Sequence, residues 1–213
     1  MLLSRRQFRT CLTAAILAVQ AVVLSAGADA AAGDAGAFVT ALNEAAVKRI
    51  SEAKGDEALK EQRFRSLLEE NFEVEDIGMF VVGRYWRKAS DADQKQFLKV
   101  FEDVLVQRFL PLFNDYVGQR FDVSTVRADD KRPEFSTVIS TVSQPKGSDA
   151  QVLWRVRETD GKFQISDVKA EGISLRITYQ SEYASFLKNN NGDLPKLTEL
   201  LAQKVKAGAF APK

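Results

Sequence analysis

The chain has 213 residues, of which 45% are hydrophobic and 28% are charged, and its 30 Lys and Arg nearly balance its 29 Asp and Glu. This apolar fraction is typical of a globular protein and excludes an intrinsically disordered chain. The near-neutral charge argues against a broad electrostatic contact with nucleic acid. The absence of His excludes Ser-His-Asp triads, Cys-His pairs and His-ligated metal sites.

The first 30 residues have the three-part layout of a secretory signal. Met1–Thr10 carries three arginines and no acid, residues 11–24 form an apolar run shorter than a membrane span of about 20 residues, and Ala28-Asp29-Ala30 resembles a cleavage site. Ser4–Phe8 also resembles a twin-arginine export motif, the alternative being that its arginines are the ordinary basic end of a signal. We therefore predict a cleaved export signal over residues 1–30, with an uncleaved anchor as the alternative.

The part of the chain after this signal is expected to fold without covalent cross-links. Cys11 is the only Cys, and it would leave with residues 1–30. The mature chain then has neither a thiol nor a disulfide, so packing alone must stabilise it. A chain of this length buries about 70% of its extended-chain surface on folding. We predict a single domain over residues 31–213.

The first half of this domain is predicted to be helical. Apolar residues at helical spacing begin at Phe38 and continue to Lys54-Gly55-Asp56, where one helix ends and another begins. The same period then continues to Gly83, which predicts helical structure up to that glycine.

A long helix is predicted next. Ser90 and Asp93 resemble a capping box at its start, and an apolar stripe follows as far as Tyr116. Pro111 cannot donate a hydrogen bond to a helical carbonyl, so we expect it to kink or divide this helix. Gly118 is expected to end the helical half.

The second half begins with a change of period. From Arg120 onward apolar residues alternate with polar ones, which predicts strands. The four predicted strands begin at Phe121 and then cover Glu134–Ser143, Ala150–Glu158 and Lys162–Lys169. The turn sequences Pro145–Asp149 and Thr159-Asp160-Gly161 join neighbouring strands into an antiparallel meander.

After Gly172 the helical period returns, and Asp193 is expected to cap a last helix. Helices that are separated along the chain from an antiparallel sheet indicate an α+β fold. We predict a small antiparallel four-stranded sheet packed against several helices.

Few residues are candidates for catalysis. The sequence has no Gly-rich phosphate loop, no G-x-S-x-G and no metal-ligand cluster, so catalysis would need carboxylates, a Lys or a Ser-Lys pair. Asp167, in a predicted strand near the Gly172 turn, either accepts hydrogen bonds from turn N–H groups or acts as a general base. Arg155 and Arg157 either cover the solvent face of the sheet or form a patch that attracts anions.

Phenylalanine is frequent, with 14 Phe against 2 Trp and 4 Tyr. Several of these rings lie on the predicted long helix and the sheet. They either fill a solid core or surround an apolar gap wide enough for an acyl chain. Composition alone leaves both interpretations open.

Three stretches resemble the MlaC-type family, also called the toluene-tolerance auxiliary family, of periplasmic phospholipid-binding proteins. They are Gly83–Ser90 (followed by Gln94, Phe97 and Phe101), Leu110–Gly118, and Phe163–Leu175. The third is the most specific, because it is similar to the family segment W-x-v-x-D-V-x-v-E-G-v-S-L. The resemblance covers about residues 38–205, and the order of elements and the exported N-terminus agree with it.

This sequence departs from the family pattern at three positions. Phe163 stands where the family often has Trp, which preserves an aromatic ring. Gln180 and Tyr183 stand where Arg and Phe are commoner, and this weakens any head-group or partner role transferred to that helix.

The resemblance implies a deep apolar cavity between the sheet and the helices, and it implies no catalysis and no cofactor apart from phospholipid cargo. It implies a soluble periplasmic carrier that moves lipid between an outer-membrane lipoprotein complex and an inner-membrane ABC transporter with its periplasmic substrate-binding subunit, and so maintains outer-membrane lipid asymmetry. The alternatives are a carrier of hopanoid-type lipid, a cargo-free periplasmic adaptor, and a carboxylate-based periplasmic hydrolase. No nucleic-acid partner is expected.

Apolar positions on the long helix and on the inward face of the sheet are the candidate cavity residues. They are Phe97, Phe101, Val104, Leu105, Val138, Val142, Val152, Trp154, Val156, Ile165 and Val168. A second group matches family motifs and is expected to be structural: Gly83, Trp86, Asp167, Gly172, Ser174 and Leu175. Of these, Gly83, Gly172 and Ser174 are expected to shape backbone turns and not to contact lipid. Lipid head groups are expected to stay outside, near residues such as Arg155 or Lys169.

Overall fold

A computed structural model of the chain describes residues 34–113, 120–143 and 149–212. The predicted export signal, the Tyr116-Val117-Gly118 stretch and most of the Pro145–Asp149 turn lie outside the described residues. The elements in chain order are α1 (34–51 in its described part), α2 (Glu57–Asn71), α3 (Val74–Val82), a 3₁₀ helix (Gly83–Lys88), α4 (Asp91–Phe109), a 3₁₀ helix (Leu110–Phe113), β1 (Phe121–Ala128), β2 (Phe135–Val142), β3 (Ala150–Thr159), β4 (Lys162–Ala170), β5 (Ile173–Ser174), α5 (Leu175–Asn189) and α6 (Leu194–Lys206).

The helices begin and end at the signals in the sequence. The Asp56 carboxylate accepts a hydrogen bond from the Leu59 N–H (2.9 Å) at the start of α2. The Ser90 hydroxyl accepts one from the Asp93 N–H (3.2 Å) at the start of α4. α4 ends at Phe109, and Pro111, which was expected to kink or divide the long helix, lies in the 3₁₀ helix that follows; the rest of the predicted helix, beyond Phe113, lies outside the described residues.

The helical period that was expected to continue to Gly83 is interrupted, and this part of the prediction was wrong. Phe72 forms a parallel bridge with Ile165 of β4, and the Glu73 N–H donates to the Ile165 carbonyl oxygen (3.0 Å). The Gln164 side chain also donates to the Phe72 carbonyl oxygen (3.4 Å). The Glu73 N–H therefore bonds to β4 and not within the helix, and α2 ends at Asn71 before α3 begins at Val74.

The predicted α+β fold is confirmed, with one strand more than expected. The strands form a single antiparallel sheet in the order β1-β2-β3-β4-β5. The additional strand, Ile173–Ser174, pairs with Lys169 and Ala170, and two residues are too few to produce a period in the sequence. Between β3 and β4, Asp160 and Gly161 have φ angles of 52° and 78°, as a two-residue hairpin turn requires.

Three hydrophobic clusters make up the core of the described residues. The helical cluster joins α3, α4, α5 and α6 around Phe97 and Phe101. The sheet cluster places α1 against Val138, Val156 and Ile165. The α2 cluster consists of Ile50, Phe64, Leu68 and Val106 with its partly buried neighbours.

Two close contacts fix α1 and α2 in place. A Cβ atom on Gly36 would lie 2.8 Å from Cγ2 of Val126, so the close approach of α1 to β1 requires a glycine there. On α2, the Arg65 guanidinium donates to Glu61 in its own helix and to Glu102 and Asp103 of α4, at 2.6–2.9 Å for the shortest contact with each. These charge-assisted bonds raise the pKa of Arg65 despite its partial burial, which opposes them.

Candidate functional site

An apolar cavity of about 180 Å³ lies between the helices and the sheet. It is lined by Val39, Leu42, Asn43, Ala46, Phe64, Leu67, Leu68, Phe72, Ile77, Phe101, Leu105, Phe109, Phe113, Trp154, Ile165, Asp167, Val168, Leu175, Arg176 and Tyr179. Only Asn43, Asp167 and Arg176 bring an amide or a charge to this wall. The cavity is many times larger than the about 15 Å³ that one water needs, and its lining favours an apolar occupant.

Helical spacing explains how α1 and α4 form two of the walls. The α1 residues Val39, Leu42, Asn43 and Ala46 occupy positions i, i+3, i+4 and i+7, so they lie on one helix face. On α4 the cavity side begins at Phe101 and repeats every fourth residue. Each helix therefore presents a continuous, mostly apolar stripe to the cavity.

The sheet wall depends on a β-bulge. Trp154 of β3 pairs with Val168 of β4. Val156, the next β3 residue on the same face, pairs with Ile165, because Ser166 is an extra residue in β4. The bulge brings Ile165 and Val168 to the same face although they are three residues apart. The Trp154 indole N–H donates to the hydroxyl of Ser140 (2.9 Å), which fixes the ring orientation.

Asp167, beside this bulge, holds the start of α5. Its carboxylate accepts hydrogen bonds from the Ser174 hydroxyl (2.7 Å) and from the Arg176 backbone N–H (3.2 Å). The Ser174 oxygen in turn accepts from the Ile177 N–H (3.1 Å) as the N-cap of α5. Asp167 is buried, and these bonds occupy both of its oxygens, so the geometry is that of a helix-start acceptor.

Tyr179 and Tyr183, one turn apart on α5, meet the aromatic rings of α4. Tyr179 lines the cavity and contacts Phe101 edge-on, with ring centroids 5.9 Å apart. Burial raises the pKa of Tyr179 to about 12. Tyr183 is buried in the helical cluster against Phe97 and Phe101, and its hydroxyl has no hydrogen-bond partner among the described residues.

The structure brings five of the predicted cavity residues to the cavity wall: Phe101, Leu105, Trp154, Ile165 and Val168. Their contact with a lipid stays a prediction. Phe101 and Leu105 share one face of α4, and Trp154, Ile165 and Val168 share the bulged face of the sheet.

The other candidate cavity residues lie elsewhere in the fold. Phe97 and Val104 are fully buried in the helical cluster, and Val138 and Val156 are fully buried in the sheet cluster. Val142 and Val152 are half-buried and do not contact the cavity. Identifying the buried face of a helix or strand is therefore not sufficient to identify the cavity residues, because part of each face packs in a cluster and part lines the cavity.

Two residues of the motif group contact the cavity, and the others shape the backbone. Leu175 lies on the cavity wall together with Asp167. Gly83 (φ 62°) ends α3 and Gly172 (φ 79°) lies in the turn before β5, both in the left-handed region. Trp86 is buried in the helical cluster with its ring edge-on to Phe97 (6.2 Å).

Sequence reasoning missed the α1 and α2 walls. Leu42 and Ala46 of α1, and Phe64, Leu67 and Leu68 of α2, line the cavity but are not among the candidate cavity residues. A usable signal was present in Asn43, a polar residue within an otherwise apolar stripe. Phe163, at the position where the family often has Trp, stacks on Phe38 of α1 (5.8 Å) and holds that wall against the sheet.

The β3 arginines lie on the opposite face of the sheet from the cavity. Arg155 forms an ion pair with Asp129 (3.0 Å), and Arg157 pairs with Glu73 (3.0 Å) and Asp76 (3.2 Å). Their charges are thus neutralised locally. This pairing argues against the anion-attracting patch and against a head-group position at Arg155.

Two further searches covered only the part of the chain that the structure describes. No helix there combines the length and hydropathy that a membrane crossing needs. No group of three or more His, Cys, Asp or Glu residues is arranged to hold a metal ion within those same ranges.

Comparison with known proteins gives two results. Among solved structures, the chain is similar to the phospholipid-binding protein from Ralstonia solanacearum, determined in complex with a phospholipid at 1.53 Å. The two chains are 20% identical and superpose with a TM-score of 0.70, over 82% of this chain and 98% of that one, which shows a shared fold. A family model described as MlaC protein matches residues 38–203. Since that match covers most of the sequence, and the resemblance of its motifs agrees with it, the chain belongs to the MlaC protein family.

Proposed function

We propose that this protein is a periplasmic carrier that holds phospholipid acyl chains in the apolar cavity. The observation that carries this proposal is the cavity itself, whose wall is made almost entirely of aliphatic and aromatic side chains. The phospholipid in the similar Ralstonia solanacearum structure supports the same ligand class. In this proposal the carrier moves lipid between an outer-membrane lipoprotein complex and an inner-membrane ABC transporter with its periplasmic substrate-binding subunit, and it has no catalytic step.

The energetics require such a cavity. Exposing an acyl chain to water costs about 0.8 kcal/mol per CH₂, so a lipid leaves a membrane at a useful rate only if a carrier buries its chains. The geometry of Asp167 supports a carrier over a hydrolase. Each of its two oxygens accepts a hydrogen bond, from the Ser174 hydroxyl and from the Arg176 N–H, and this is the role of a helix-start acceptor.

The volume predicts that the cavity widens when it is loaded. An engineered apolar cavity of about 150 Å³ takes up one benzene molecule. The present cavity of about 180 Å³ therefore accommodates a segment of an acyl chain in this conformation. A diacyl lipid must displace wall residues, most readily the half-buried ones such as Leu105 and Leu175.

Native mass spectrometry with lipid extraction tests the proposal. The protein purified under gentle conditions should carry an adduct that extracts as diacyl phospholipid. Ala46→Phe should reduce this adduct severalfold, because Ala46 is a buried cavity residue and the ring would occupy the space. Ala37→Phe is the matched control, since Ala37 is an exposed position on the same helix.

Three outcomes would change the proposal. A hopanoid-like adduct would keep the carrier and replace the cargo. A clean apo mass, with no lipid taken up from liposomes, would support a cargo-free adaptor. Equal loading of the Ala46→Phe and Ala37→Phe variants would show that lipid binds elsewhere. Recovery of the protein in the periplasmic fraction tests the export signal independently of lipid binding.

A further inference from the structure

We propose that Arg176 binds the phosphate of the lipid head group at the cavity wall. This inference rests on the proposed function and adds the chemistry of the head group to it. It concerns a guanidinium that is placed beside apolar space and has no partner among the residues that the structure describes.

The Arg176 side chain is positioned by stacking alone. Its guanidinium carbon lies 4.0 Å from the ring centroid of Phe80, and the side chain reaches the cavity wall from the first turn of α5. Its Nε atom is shielded from solvent and has no hydrogen-bond partner among the described residues. A buried donor without a partner is unfavourable, so a ligand oxygen that accepts from it is favoured.

The nearby carboxylate does not satisfy this cation. Asp167 acts on Arg176 through its charge, but its oxygens accept from Ser174 and from the Arg176 backbone N–H, and no ion pair with the guanidinium forms. Arg65 and Arg157, in contrast, each have carboxylate partners within 3.2 Å. The Arg176 side chain is therefore left with donors to offer to an anion.

The positive charge of Arg176 lies at the N-terminal end of α5, where it does not stabilise the helix. A cation in the first turn of a helix is unfavourable, because the N-terminal end of the helix dipole is itself positive. Burial adds to this cost and lowers the pKa of Arg176. Both effects would be offset by a bound anion, and the planar guanidinium fork matches the oxygens of a phosphate.

An amphiphile fits this arrangement better than a simple anion. Leu175 and Tyr179, which flank Arg176 in the sequence and on the helix, line the apolar cavity. A ligand with its phosphate at Arg176 can therefore extend its apolar part directly into the cavity. Free phosphate would contact Arg176 but would leave the apolar lining of the cavity uncovered.

The test compares two lipids that differ only at the head group. Delipidated protein is incubated with a mixed dispersion of palmitoyl-oleoyl-phosphatidylglycerol and palmitoyl-oleoyl-glycerol, and native mass spectrometry measures the ratio of the two adducts. The wild-type protein should favour the phosphate-bearing lipid about tenfold or more, as a charge-assisted bond implies. Arg176→Met should remove most of this preference while still binding both lipids.

Two further variants complete the design. Arg176→Lys keeps the charge without the fork and should retain an intermediate preference. Arg87→Met removes an exposed arginine away from the cavity and should behave as the wild type. Far-UV circular dichroism and thermal melts of all variants establish that they fold; if Arg176→Met does not, Arg176→Lys against Arg87→Met carries the test.

The outcomes separate the inference from the function on which it rests. Equal binding of both lipids by wild type and Arg176→Met would overturn the Arg176 assignment and leave the lipid cavity intact. Failure of the wild type to bind either lipid would overturn the proposed function itself. Binding of inorganic phosphate that Arg176→Met abolishes, without any head-group preference, would overturn the lipid assignment in favour of free phosphate.

Discussion

Removal of the Tyr183 hydroxyl should stabilise the protein. The ring lies in the helical cluster with 4% of its surface exposed, and its oxygen has no hydrogen-bond partner. Burial raises the pKa of Tyr183 far above its ordinary value, so the hydroxyl is neutral and contributes no charge interaction. Tyr183→Phe keeps the edge-on contacts with Phe97 and Phe101, which depend on the ring alone.

The size of the effect follows from two opposing terms. An unsatisfied buried hydroxyl costs about 1–3 kcal/mol. The void left by one oxygen, about 15 Å³ at about 24 cal/mol per Å³, lowers the free energy of unfolding by about 0.4 kcal/mol. The free energy of unfolding should therefore rise by about 1–2 kcal/mol, which corresponds to about 2–4 °C in Tm for each kcal/mol.

Urea denaturation of the purified protein measures this difference. Tyr179→Phe is the matched control, because it removes the same atom from the neighbouring ring of a residue that is only half-buried. That control should change the free energy of unfolding by less than about 0.5 kcal/mol. A loss of stability in Tyr183→Phe would refute the reasoning, since it would show that the hydroxyl has a partner.

Three further predictions concern stability. Burial raises the pKa of Tyr179 to about 12. The stability contributed by its neutral hydroxyl is therefore complete below the unfolded-state pKa of about 10 and is lost as the pH rises through about 12. Urea denaturation at a series of alkaline pH values should show a smaller loss of the free energy of unfolding in Tyr179→Phe than in the wild type. Asp167→Ala should lower the free energy of unfolding by about 2–4 kcal/mol, since two donors lose a charged acceptor, whereas Ser174→Ala should lower it by about 1 kcal/mol; the reverse order would contradict the role of the carboxylate. Arg65→Gln should lower the free energy of unfolding by about 2 kcal/mol. The difference in that free energy between the variant and the wild type should be smaller in high salt.

Local signals made most of the fold predictable from sequence. Helix caps such as Asp56, Ser90 and Asp193, together with the Asp160-Gly161 turn, act over a few residues and are visible in the chain. The break at Phe72 was not predictable in this way. It depends on a bridge to Ile165, which is distant in sequence, and this tertiary contact overrides the helical period.

The candidate site was less predictable because a cavity is a property of several elements at once. Phe97 and Phe101 are one helical turn apart with stacked rings, yet only Phe101 reaches the cavity. The period identifies the buried face of α4, but it does not distinguish where that face meets other side chains from where it meets empty space. The bulge at Ser166, which brings Val168 to the wall, has no marker in the sequence.

The division of the core into three clusters has a mechanical consequence for the cavity. Its walls are drawn from all three clusters, so the space lies at a junction and not inside any one of them. Well-packed groups of side chains resist compression but can slide past one another as bodies. Leu105 packs against both the helical and the α2 clusters, and Phe72 packs against both the sheet and the α2 clusters. These two side chains therefore connect the clusters at the cavity. Movement of these two side chains would therefore enlarge the space without repacking the interior of any cluster.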